Sequence, residues 1–224
     1  MLDKAGKALE PLLDRLVFVG GSIVGLLLTD PSAPLPRATQ DVDVIVQVAT
    51  RIEYYAIEKQ FVNLGFQRNT ESRVICRWNG HGLIVDLMPT GVDIIGFSNP
   101  WYESAMSHSI KMTLPSAAEI SVVDAPHLLA TKLVAFFARG NDDMYGSHDL
   151  EDIVLLLDGR PELAHELEQS PADLRTFVIE GFETLTKKPG FVEPIEGHLG
   201  SVDGAIIRRS TVLARANEII GSKK

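Results

Sequence analysis

Leu16-Val17-Phe18-Val19-Gly20-Gly21-Ser22, followed nineteen residues after Ser22 by Asp41-Val42-Asp43-Val44-Ile45-Val46-Gln47-Val48, is the pair of stretches whose reading decides the fold. The first is a short apolar strand over 16–20 that runs into a glycine turn and then a helix over 23–28. The second alternates strictly. Val42, Val44, Val46 and Val48 fall on one face, and Asp41, Asp43, Ile45 and Gln47 on the other. A side-chain period of two places Asp41 and Asp43 on the same face, ~6.6 Å apart along the strand.

A carboxylate pair on a strand anchored by a valine face repels itself unless a cation sits nearby, and suits a hard divalent ion. Asp86 lies inside Leu83-Ile84-Val85-Asp86-Leu87-Met88, flanked by five apolar residues. An unpaired charge there is costly, so it needs a partner. Three carboxylates meeting at Mg²⁺ account for all three residues together. Gly20 and Gly21 allow a backbone to approach a ligand closely. Free N–H groups at the start of the next helix, with the Ser22 hydroxyl, favour a phosphate. A phosphate cradle beside a carboxylate pair is the equipment of metal-assisted nucleotidyl transfer. Singly, each feature has an ordinary reading: a tight turn, a solvated strand end, a salt-bridged strand aspartate. Their combination and order carry the functional one.

Around this centre the pattern predicts a helix over 2–15 with Pro11 inside it, and a loop over 30–38 with Pro31, Pro34 and Pro36. Thr50 and Glu53 form a capping-box signature, and Gly65 stops the helix they begin. Strands over 72–78 and 83–88 flank Asn79-Gly80-His81-Gly82, a hairpin connection. Further strands are expected at 92–95, 110–113 and 120–123. Asp124 caps a helix with Pro126 in its first turn, running to Arg139. A loop over 140–146 follows, then helices at 147–157, 161–168, 172–186 and 203–220. The fold class is α+β, a mixed sheet followed by a helical region, with domains over 1–120 and 121–224.

The chain has 224 residues, 45% hydrophobic and 23% charged, an ordinary globular composition. One cysteine, Cys76, excludes a disulfide framework and a cysteine-based zinc site. Cys76 reads as structural, and the six histidines show no metal-ligand spacing. The net charge of −9 disfavours a protein that wraps duplex DNA. No apolar run is long enough to span a membrane. Asp3, Glu10 and Asp14 precede the longest run, so it reads as structure rather than as a signal peptide. The expected compartment is the cytoplasm, with no membrane partner.

The order Gly20-Gly21-Ser22, Asp41-Val42-Asp43, Asp86 resembles the nucleotidyltransferase superfamily with the DNA-polymerase-β-like fold. That likeness covers residues 16–90. A second stretch narrows it: Lys132-Leu-Val-Ala-Phe-Phe-Ala-Arg139, then His148-Asp149-Leu150-Glu151-Asp152-Ile153. It is similar to the AbiEii-type nucleotidyltransferases, toxins of bacterial toxin–antitoxin and phage-defence systems. Lys132 matches that family's functional lysine and Asp149 its following aspartate. Lys132 and Arg139, seven apart, share a helix face. The last 70 residues match no motif.

The resemblance implies a mixed-sheet nucleotidyltransferase core and a two-metal Mg²⁺ site on Asp41, Asp43 and Asp86. A nucleoside triphosphate would lie on Gly20, Gly21 and Ser22, with Lys132, Arg139 and Asp149 as further nucleotide-binding residues. Asp41, Asp43, Asp86 and Lys132 would be catalytic. RNA, such as a tRNA 3′ end, is the implied acceptor, and an antitoxin protein the implied partner. Two other readings stand beside it: transfer to a small molecule such as an aminoglycoside, which the acidic balance suits, and a catalytically idle nucleotide- or partner-binding module. The chain is short for the family. The stretch 141–180 is acidic and would repel RNA, whereas Lys187, Lys188, Arg208, Arg209 and Arg215 could guide an acidic substrate.

Overall fold

A computed structural model describes residues 1–139, 143–200 and 205–222. The first three residues of the expected 140–146 loop, including Asp142 of the acidic stretch, and residues 203–204 of the last expected helix lie outside the described residues. The chain divides into two units: Met1–Ile23 with Ala38–Asp124, and Val24–Arg37 with Ala125–Lys224. The segment 24–37 thus groups with the later helices rather than with the residues on either side of it.

In the first unit, helix α1 (Leu2–Ala8) is shorter than expected, because residues 10–12 form a separate 3₁₀ turn containing Pro11. Pro11 has no N–H to give the carbonyl four residues earlier, and its ring crowds that carbonyl. Strand β1 (Leu16–Val19) follows, all four residues buried. Gly21–Ile23 is a 3₁₀ turn. Helix α2 (Val24–Leu27), in the second unit, is one turn long. Strand β2 (Asp41–Val46) leads to helix α3 (Arg51–Asn63), whose start is a complete capping box. The Thr50 hydroxyl accepts from the Glu53 N–H at 3.2 Å, and the Glu53 carboxylate accepts from the Thr50 N–H at 3.3 Å.

Next come β3 (Gln67–Arg68), β4 (Arg77–Gly80), β5 (Leu83–Pro89), α4 (Val92–Ile95), α5 (Tyr102–Ser107), β6 (Ile110–Thr113) and β7 (Glu119–Val122). The strand expected at 92–95 is a helical turn closed by Gly96 at φ 87°. A four-residue apolar run does not distinguish the two by periodicity. The strand expected over 72–78 shrinks to its last two residues, extended to Gly80. The turn between β4 and β5 is His81-Gly82, with φ of 54° and 63°. Positive φ at both positions is the two-residue hairpin geometry that matches strand twist.

The seven strands form one mixed sheet in the order β3-β4-β5-β2-β1-β7-β6. The sheet is parallel at β2–β5 and β1–β7 and antiparallel elsewhere. β2 is central and carries Val42, Val44 and Val46 fully buried. Tyr54 of α3 donates its hydroxyl to the Leu87 carbonyl at 2.8 Å. Phe61 packs on Phe66 and Trp78, with centroids 5.3 and 5.5 Å away.

The second unit is helical. α6 (Ala125–Arg139) is buried at every position from Ala125 to Leu133. Ser147 caps α7 (His148–Gly159), accepting from the Leu150 N–H. A side chain at Gly159 would meet Leu28 at 2.9 Å, which is why this helix end is glycine. α8 (Leu163–Glu168), α9 (Ala172–Thr186), α10 (Pro194–His198) and α11 (Ala205–Gly221) complete it. Among the described residues no helix is long and apolar enough to cross a membrane.

Candidate active site

Asp41 and Asp43 open β2. In the sheet register Asp43 lies opposite Asp86 of β5 on one side and Val19 of β1 on the other. Asp86 in turn lies opposite Arg77 of β4. Residues in register share a face of a pleated sheet. Arg77, Asp86 and Asp43 therefore form a row across three adjacent strands, with Asp41 two residues along from Asp43.

Arg77 answers the question that the buried Asp86 posed. Its Nε donates to Asp86 Oδ1 at 2.9 Å and its Nη2 to Asp86 Oδ2 at 2.8 Å. The same Nη2 donates to Asp41 Oδ2 at 2.5 Å. Asp86 is 5% exposed, so this two-pronged pairing offsets most of the cost of its burial. The bonds to Asp86 and the charges of Asp86, Asp41 and Asp43 hold the guanidinium's pKa above its ordinary value, against the effect of its own burial. Asp86 thus has a partner in the protein, as the salt-bridged reading of a strand aspartate has it. Among the described residues no three acidic, histidine or cysteine side chains converge as a ready-made metal site.

Gly20 is at φ 81°, and a Cβ there would lie 2.0 Å from Asp43 Oδ2. Its first role is therefore to leave room for the Asp43 carboxylate. The Ser22 hydroxyl, in the 3₁₀ turn that follows, is buried without a hydrogen-bond partner. Helix α2 is a single turn, so its dipole is small. The Ile23 N–H bonds back to the Gly20 carbonyl at 3.4 Å, and the Ser22 hydroxyl is the unpartnered donor of this turn. We expect Gly20→Ala to lower activity by ~10²-fold and to cost about 1–3 kcal/mol of stability, because alanine is strained at φ 81° and its Cβ would displace the Asp43 side chain. Parallel turnover and melting measurements check this; equal proportional losses would make Gly20 merely a turn residue.

The second unit holds the other cluster. Lys132 is 7% exposed, not on a solvated face. Its Nζ lies 2.5 Å from Asp152 Oδ2 and 3.1 Å from Asp149 Oδ1. Arg139 reaches Asp149 through Nε at 3.1 Å. Arg37 pairs with Glu151 at 3.0 Å and approaches Asp152 at 3.6 Å. Burial alone would raise the pKa of Asp149, but the Lys132 charge and the Arg139 hydrogen bond outweigh it and leave it below the ordinary value. The structure brings Lys132, Arg139 and Asp149 together, as it does Asp41, Asp43 and Asp86; the two sets belong to different units.

Several surface readings change. Asp149, Asp152 and Asp158 of the acidic stretch are buried. Arg208 pairs with Asp158 at 2.5 Å, Arg209 with Glu196 at 2.6 Å, and Arg215 donates to the carbonyls of Leu157 and Asp158. Three of the five basic residues expected to guide a substrate are therefore engaged internally. Burial, with the charges of Asp86 and Asp43, pushes the Cys76 thiol up to about 12, which fits a structural cysteine.

Sequence reasoning missed Arg77 and Arg37. With Asn79–Gly82 taken as the hairpin connection, Arg77 faces Ile84; the shorter His81-Gly82 turn moves it opposite Asp86. An arginine after the apolar run Val74-Ile75-Cys76 was the available signal. Arg37 lies near the end of the proline-rich loop over 30–38 and carries no periodicity.

A family model described as nucleotidyl transferase AbiEii toxin, Type IV TA system, matches residues 5–194. No curated protein matches the chain. The family match takes in the glycine turn, all three strand carboxylates and the Lys132–Asp152 cluster, and spans well over half of the sequence. This chain belongs to the AbiEii nucleotidyl transferase toxin family.

Proposed function

We propose that the protein moves a nucleoside monophosphate from a nucleoside triphosphate to an acceptor hydroxyl on RNA, at a Mg²⁺ site formed by Asp41, Asp43 and Asp86. The observation that carries this reading is the row of carboxylates in register on β2 and β5, next to a glycine turn with a buried, unpartnered hydroxyl. The donor set fits the ion in kind: all carboxylate oxygens, on rigid strands, on one face. When bound, Mg²⁺ supplies charge neutralisation at the phosphates and lowers the pKa of a nearby hydroxyl.

The chain's own residues do the rest. The Ser22 hydroxyl is free to donate to a phosphate oxygen. Asp43, seated against Gly20, keeps its place at the edge of the turn. Asp86 takes the proton of the acceptor hydroxyl. The acceptor oxygen bonds to the α-phosphorus, the bond from that phosphorus to the β-bridging oxygen breaks, and pyrophosphate leaves with the electron pair. In-line positioning accounts for much of the rate. The family's description as a type IV toxin–antitoxin system supports a cognate antitoxin as partner.

Labelled triphosphates offered with bulk RNA, and separately with a panel of aminoglycosides, test the acceptor. Label in RNA alone is expected. Label only in an aminoglycoside moves the protein to small-molecule modification, and label in neither removes the acceptor assignment.

A further inference from the structure

We infer that Arg77 is a built-in counter-ion that occupies the cation position of the carboxylate row and must withdraw before a divalent ion binds. The inference rests on the metal reading above and goes beyond it.

The geometry is specific. Arg77 Nη2 is shared, lying 2.5 Å from Asp41 and 2.8 Å from Asp86. One nitrogen of the charged guanidinium thus bridges carboxylates from two strands, the residues that would hold a cation. Nε takes the second oxygen of Asp86, so both Asp86 oxygens are committed. The Arg77 side chain is 20% exposed, against 8% for Asp86, so its way out leads toward solvent while the carboxylates stay fixed in the sheet. A residue needed only to bury Asp86 would have no reason to bond Asp41, whose side chain is 34% exposed.

Two consequences follow. Without nucleotide, a divalent ion must compete with a charge-assisted fork and meets the guanidinium's own charge, so metal alone binds weakly. Both oxygens of Asp86 face the guanidinium in the free protein, so opening of the fork and loading of the ion are linked. Arg77 is on this account a positioning residue.

Mn²⁺ alone, titrated into the full-length protein and followed by the electron paramagnetic resonance of the free ion, tests this without reference to turnover. Arg77→Met is expected to bind Mn²⁺ at least tenfold more tightly than wild type. Arg77→Lys, which keeps the charge without the fork, is expected to gain less. Equal or weaker binding by Arg77→Met overturns the inference and leaves the metal reading standing. No Mn²⁺ binding by any of the proteins, even with nucleotide present, overturns both. Should Arg77→Met fail to fold, wild type still decides. The Arg77 Nε–H resonance is expected to exchange slowly with solvent in the free protein, and to shift and exchange faster on saturation with Mg²⁺ and a non-hydrolysable triphosphate. An unmoved resonance at saturation overturns the inference.

Discussion

Asp43→Asn is expected to lower nucleotidyl transfer by ~10³-fold or more with the fold intact. Asn fills the same volume against Gly20 and between Val19 and Asp86. It removes one of the three negative charges that face Arg77, so a modest loss of stability, smaller than that of Asp86→Asn, is expected. Asp86→Asn is the contrasting case: it takes a charged partner from both prongs of Arg77 and should cost stability as well as activity. Single-turnover transfer with excess triphosphate, alongside thermal melts, separates the two. Near-wild-type turnover by Asp43→Asn would remove Asp43 from the proposed metal ligands.

Lys132→Ala has the largest expected effect on stability. A lysine on a solvated face would cost no more than ~0.5 kcal/mol. This one is buried between Asp149 and Asp152, and Asp152 is only 1% exposed. Taking away one partner of a buried ion pair costs about 3–5 kcal/mol. In a chain of this size that is roughly 6–20 °C in melting temperature. Activity lost by Lys132→Ala therefore says nothing by itself about catalysis. The double variant Lys132→Met, Asp152→Asn restores neutrality and should recover most of the stability. If that variant melts like wild type yet stays inactive, Lys132 acts on the reaction as well as on the fold. A single variant that melts within a degree of wild type would contradict the burial argument.

The parts of this fold that were legible in the sequence rest on strong local signals. The Asp41–Val46 alternation, the Thr50–Glu53 box and the Asp124-Ala125-Pro126 start of α6 each correspond to an observed element, because period, cap and proline act within a few residues. The misreadings fall where local signals are short or depend on a distant partner. Residues 92–95 are too few to show a period. Gly80 and His81 both suit a turn, so the hairpin register was undetermined, and with it the partner of Asp86. Lys132 is a buried charge within an apolar helix face. Its burial depends on carboxylates from α7, which periodicity along α6 does not reveal. The row of carboxylates was readable as a set; the arginine that holds them was not, since its role exists only in the paired sheet.

The measurement that bears most directly on the central claim uses wild-type protein, total RNA and one triphosphate labelled at either the α- or the γ-phosphorus. With Mg²⁺ present, α-label is expected to appear covalently in RNA and γ-label in free pyrophosphate, and a chelator should abolish both. Transfer of γ-label to RNA, or α-label transfer undiminished by the chelator, would contradict metal-dependent nucleotidyl transfer at Asp41, Asp43 and Asp86.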